Sequence, residues 1–189
     1  MEVDYAPNAE GFLRALLPKL DCDFLLGSVH MIGTEDMTIW HYDKFQDSAM
    51  WQKYCNLLKQ ASSSGFYDAL AHPDAVLRAG MPCEIIRPFF FDAVSTLAEN
   101  GTGYEINCAG LTKLSYDPAT KKEVVKATFP DLEIASFAHS RMVPLTIGSD
   151  AHEPGKLAEN IQTVLNGLRV RGIDCLSYFE NRSQKIIRI

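Results

Sequence analysis

At 189 residues, 47% hydrophobic and 22% charged, the sequence is long enough to bury one sizeable core and predicts a single domain over residues 1–189. A net charge of −6, with no basic cluster beyond pairs such as Lys121-Lys122, argues against a nucleic-acid backbone or an anionic membrane as partner. The apolar stretches fall short of the roughly 20 residues that span a bilayer, and five cysteines without C-x-x-C spacing, in a chain showing no secretory leader, predict reduced thiols and a cytoplasmic location.

In chain order, MEVDY reads as a strand whose beginning is cut away, and it carries Glu2. The spacing of Phe12, Leu13, Leu16, Leu17 and Leu20 predicts a helix over 10–20, and the strand-like run DFLLGSVHMI follows with His30 near its end. A loop through Trp40 and His41 leads to a helix over 47–64, stopped by Ser62-Ser63-Ser64-Gly65; the short strand DALAH then meets His72-Pro73-Asp74. Pro82 opens a helix over 83–100, and the strand YEINCAG follows, with Glu105 and Asn107 near its end. Residues 109–129 have the Pro/Thr/Lys composition of a surface loop, and Pro130 starts a helix running to about Met142. PLTIGSDAH is a buried strand that delivers Asp150 and His152 at its end. A helix over 155–171, closed by Gly172, and two strand candidates, DCLSYF and KIIRI, complete the chain.

This alternation predicts an α/β domain with a largely parallel sheet, because parallel neighbours require a crossover helix. Functional groups of such sheets gather at the carboxyl ends of the strands. His30, His72, Glu105, Asp150 and His152 stand at or just after those ends, so the fold can bring them together.

Imidazole nitrogen with carboxylate oxygen suits a divalent ion such as manganese, iron or zinc. Read alone, Asp150 could equally cap the following helix, with His152 on its first turn. His30 or His72, taken singly, is more often an ordinary polar residue at a strand end. Three of the five histidines at such positions shift that balance toward a metal. Other chemistries lack their motifs: Gly155-Lys156 is followed by Leu157 rather than Ser or Thr, no G-x-G-x-x-G follows a strand, and there is no G-x-S-x-G. Cys108 reads as a small buried apolar residue, and His41 and His139 as loop and helix-surface residues.

The ordered set EVDY, GSVH, HPD, EINCAGL and IGSDAH, with the terminal YFENR, resembles the polymerase-and-histidinol-phosphatase (PHP) family over nearly the whole chain, its histidinol-phosphate phosphatases above all. The resemblance implies a distorted TIM-like (β/α)7 barrel. Family members begin with a His-x-His strand that this sequence lacks, so the expected form is an incomplete PHP-type barrel missing about its first two βα units. Glu2 matches the carboxylate that bridges two metals, and His30 and His72 complete the second metal's shell. Asp150 matches a ligand of the first metal and His152 a ligand of the third. The implied cofactors are divalent manganese, iron or zinc ions, fewer than the family's three if this chain alone supplies ligands.

The implied activity is hydrolysis of a small phosphate monoester, histidinol phosphate foremost, by a metal-activated water attacking in line. Substrate contacts are expected from Glu105, Asn107 and Lys113 and from the loops 31–47 and 109–129. Lys113 stands two positions beyond the Gly110-Leu111 pair that a basic residue often follows in the family. The alternative is an impaired remnant of the same fold acting as a binding or assembly subunit. Missing staves would expose strand edges near Glu2, so a homo-oligomer is expected.

Overall fold

The structure, a computed structural model, describes residues 1–33, 37–125 and 127–189, with the backbone alone at Val125. Residues 34–36 and 126, which belong to the two loops expected at the substrate, lie outside the described residues.

Five strands form a parallel sheet: β1 (Glu2–Asp4), β2 (Leu26–Ser28), β3 (Ala69–Leu70), β4 (Gly103–Asn107) and β7 (Leu145–Gly148), paired in that order. The register runs Glu2 to Leu26, Leu26 to Ala69, Ala69 to Gly103, and Asn107 to Gly148. This is the parallel α/β arrangement that the alternation of elements predicts. Each crossover carries helical structure: α1 (Glu10–Leu16), α2 (Ser48–Ser63), α3 (Cys83–Asn100) and α4 (Leu132–Ser140), with α5 (Ile161–Val170) after β7.

The two longest helices follow directly from their residues. Asp47 caps α2 by accepting a hydrogen bond from the Ala49 amide at 2.9 Å, and Trp51, Tyr54, Cys55, Leu58 and Ala61 bury one face at helical spacing. Each such large side chain contributes about 1.5–3 kcal/mol on burial. The Trp51 indole N–H is satisfied by the Phe45 carbonyl at 2.7 Å. Helix α3 buries Ile86, Phe90, Ala93, Val94 and Leu97 against α2 and ends at Gly101, whose φ of 68° suits glycine. Asp131 caps α4 through the amides of Glu133 and Ile134. The helices α2, α3 and α4 pack on β3, β4 and β7, so one connected apolar core runs from Tyr5 to Leu176.

Three expectations are corrected. The segment 109–129 is not all loop, because it folds into an antiparallel hairpin of β5 (Leu114–Asp117) and β6 (Lys122–Val125). Asp117 organises its turn by accepting from the Ala119 amide and the Thr120 hydroxyl. The helix expected over 155–171 begins only at Ile161, since Asn160 takes a left-handed φ of 63° that interrupts the run after a short 3-10 turn at Pro154–Lys156. The helix over 10–20 ends at Leu16, because Pro18 converts its last turn to 3-10 geometry.

The last two strands, β8 (Cys175–Glu180) and β9 (Ser183–Arg188), pair as a hairpin beside β7 and reach across to the segments that enter β2 and β3. There Phe179 stacks on Phe24 at 4.9 Å, and the Arg182 guanidinium meets Asp68 at 2.6 Å. No helix among the described residues is long and apolar enough to cross a membrane.

Candidate metal centre

Successive strands present their polar residues at one rim. His30, His72 and Asp150 each stand two residues beyond the end of their strand, after β2, β3 and β7. Glu2 differs, because it opens β1 level with Leu26, and its side chain reaches along the sheet toward Ser28 and His72. Residues alternate across a strand, so Val3 packs on the core while Glu2 and Asp4 share the opposite face.

The ligand-capable atoms of Glu2, His30 and His72 all lie within 4.8 Å of one another. His72 Nε2 is 3.3 Å from Glu2 Oε1, and the rings of His30 and His72 are 5.0 Å apart. Asp4 stands behind His30, with Oδ1 3.0 Å from its backbone nitrogen and 3.3 Å from its ring Nδ1. Below the rim, Glu105 Oε2 accepts from the His72 backbone N–H at 2.9 Å and from Asn107 at 3.2 Å. Tyr54 donates its hydroxyl to the Pro73 carbonyl at 2.8 Å. The Asp131 amide donates to Asp74 Oδ2 at 2.7 Å, which fixes the turn that carries His72.

These contacts set the charges. The hydrogen bond from His72 holds the Glu2 carboxyl down to about 2, against the opposing effect of its burial. Burial pushes the His72 imidazole down, but the Glu2 hydrogen bond and the charges of Glu105, Glu2 and Asp150 outweigh it, so its pKa is raised. Burial also raises the Glu105 carboxyl.

A cleft of about 610 Å³ opens over this floor. Asp150 and His152 line it without joining the closest group; Asp150 takes a left-handed φ of 48°, and exposed His152 places Nδ1 2.9 Å from the Asp150 carbonyl. The capping alternative for Asp150 does not hold, since the N-cap positions that follow belong to Glu153 and Asn160. Lys113 also lines the cleft, whereas Glu105 and Asn107 are buried beneath it.

Sequence reasoning missed Asp4, although its alternation with Glu2 carried the signal. It also missed the part of the cleft lining built around Arg78. There Arg78 donates Nε–H to the Leu114 carbonyl at 2.6 Å, lies 5.2 Å over the Tyr42 ring and 5.8 Å over Trp40, and faces Glu123 at 3.7 Å. No local pattern pointed to it, because its partners come from the β5–β6 hairpin and from the segment before α2, both distant in the chain.

No family model matches the sequence. The chain is 25% identical over 190 residues to a probable histidinol-phosphatase of Deinococcus radiodurans, covering 97% of this chain and 68% of the relative. Among solved structures it is similar to a histidinol phosphate phosphatase from Lactococcus lactis subsp. lactis, complexed with zinc, L-histidinol and phosphate: TM-score 0.72, 15% identity, 98% of this chain and 70% of that one. A putative histidinol phosphatase from Listeria monocytogenes aligns with TM-score 0.67 and 19% identity over 86% of this chain and 66% of its own. The chain thus shares the α/β fold of these solved phosphatases.

Proposed function

We propose that the chain is a metal-dependent phosphoric monoester hydrolase whose substrate is histidinol phosphate. The observation that carries this reading is the meeting of Glu2, His30 and His72 at one end of a parallel sheet, in a fold shared with phosphatases. The donor set fits a divalent ion of the manganese, iron or zinc class, with two imidazoles, one carboxylate and room for further ligands. Asp4 supports that fit, because a histidine that ligates a metal commonly has its other ring nitrogen held by a carboxylate. When bound there, such an ion supplies Lewis acidity to phosphate oxygens and lowers the pKa of a coordinated water.

The chain's own residues take the remaining roles. Glu2 would hold an ion with His30 and His72 and, as the family resemblance implies, would serve a second one, and Asp150 and His152 would extend the ligand set across the cleft. Lys113 and Arg78 offer positive charge to a phosphate dianion. Trp40, Tyr42 and Phe129 give the cleft an apolar surface for the flat ring of the leaving alcohol.

The five-stranded sheet is read as an arc of a PHP-type distorted barrel. Its β1 edge and the exposed Ile186 and Ile187 of β9 support self-association as a homo-oligomer. The activity is tested by phosphate release from histidinol phosphate with added manganese, iron or zinc. Turnover that needs the metal, and vanishes in chelator and in His72→Ala, supports the reading; metal-independent turnover, or none with any of the three ions, overturns it.

A further inference from the structure

Glu105 does not line the cleft, yet it is tightly held just beneath it. The residue is 7% exposed. One carboxylate oxygen accepts from both the His72 backbone N–H and the Asn107 amide, and Asn107 in turn accepts from the Ala109 N–H at 3.0 Å. The other oxygen rests on Gly148, where any Cβ would collide with it. A single side chain therefore touches the turn after β3, its own strand β4 and the last residue of β7.

The rim residues on either side of it both have left-handed backbones, as do five other non-glycine residues among the described ones. His72 has a φ of 31°, and Asp150, two positions after Gly148, has a φ of 48°. Such conformations are uncommon for residues other than glycine and cost free energy that surrounding contacts can offset. The charge-assisted hydrogen bond that Glu105 accepts from the His72 amide supplies such a contact on one side, and close packing on Gly148 supplies one on the other.

We propose that Glu105 is a positioning residue that locks the His72 turn against the end of β7, and so sets the spacing of His72 and Asp150 across the rim. The proposal rests on the metal reading above only for what that spacing serves. A direct role toward substrate does not suit a carboxylate absent from the cleft wall and already engaged by two donors. Gly148 acquires a reason as well, because its missing side chain makes room for the carboxylate.

The test compares the parent protein with Glu105→Ala, Glu105→Gln and Gly148→Ala in two readouts. The first is zinc affinity by competition with a chromophoric chelator. Glu105→Ala should weaken it by about 10–100-fold, the range for outer partners of a metal ligand. Glu105→Gln, which keeps an accepting oxygen, should retain most of it. Gly148→Ala should behave like Glu105→Ala by displacing the carboxylate, and the double variant should be no worse than Glu105→Ala alone.

The second readout is the His72 amide in 15N-resolved NMR of the metal-free protein. Its signal should be shifted downfield and protected from exchange in the parent, and should lose both properties in Glu105→Ala and Gly148→Ala. Unchanged affinity and an unchanged His72 amide in those two variants overturn the proposal, as does a Glu105→Gln variant as impaired as Glu105→Ala. Should the parent bind no zinc, the metal reading fails, and the amide readout alone decides the role of Glu105. If Glu105→Ala does not fold, Glu105→Gln and Gly148→Ala carry both readouts.

Discussion

Asp4 and His30 are joined twice, since one carboxylate oxygen lies 3.0 Å from the His30 backbone nitrogen and 3.3 Å from its ring Nδ1. Main chain and imidazole are thereby oriented together, with Nε2 left as the other ring nitrogen. Asp4→Ala should weaken divalent-metal binding by about 10–100-fold, and Asp4→Asn, which keeps an acceptor, by less. Calorimetric titration with zinc or manganese measures both.

The Glu2–His72 pair should make the metal-free protein's stability bell-shaped in pH. Glu2 titrates at about 2 in the fold, below its ordinary 4.5, so its contribution is present above about pH 4.5 and lost as pH falls toward 2. His72 is shifted upward, so its contribution is complete below 6.5 and lost as pH rises through the elevated value. Thermal melts in chelator should peak between these limits, and Glu2→Gln should flatten both flanks.

Asp74 should act in the opposite sense from Glu2. Burial pushes its carboxyl from 3.8 up to about 7. Its Oδ1 and the adjacent Tyr104 hydroxyl are buried without a well-aligned hydrogen-bond partner among the described residues, although the two groups interact. An acid with a raised pKa contributes stability that is complete below about pH 3.8 and lost as pH rises through 7. Asp74→Asn should remove that slope, worth at most about 4 kcal/mol between the two limits. Urea denaturation at pH 4.5 and pH 8 reads it directly.

Arg78 should hold the β5–β6 hairpin against the cleft. Its guanidinium joins the Leu114 carbonyl, Glu123 and two aromatic faces, a set that a lysine cannot reproduce. Arg78→Ala should cost about 1–3 kcal/mol of stability and raise KM more than it lowers kcat; Arg78→Lys should recover little. Denaturation and steady-state kinetics together separate the two effects.

Much of this architecture was legible because its signals are local. Trp51 to Ala61 repeat at helical spacing behind an aspartate cap, and His30 and His72 each follow an apolar run. The β5–β6 hairpin was hidden by its Lys/Thr/Pro composition, which also describes a loop. Arg78 was hidden because it meets Leu114 only across 36 residues of chain. Glu105 reads as a strand-end residue, where a substrate contact is the natural expectation, but it is the middle residue of β4, and the packing of Gly148 over its carboxylate reveals how deep it lies. Asp4 was readable in principle, from its alternation with Glu2, but a lone aspartate in a short strand carries no partner until β2 is laid beside it.

The central claim is that Glu2, His30 and His72 hold a divalent cation, and anomalous diffraction from crystals grown with zinc tests it most directly. The account requires a strong peak at the zinc edge about 2.0–2.3 Å from a Glu2 oxygen and one ring nitrogen each of His30 and His72. A protein saturated with zinc that shows no peak there, or whose metal is bound wholly by other residues, contradicts it.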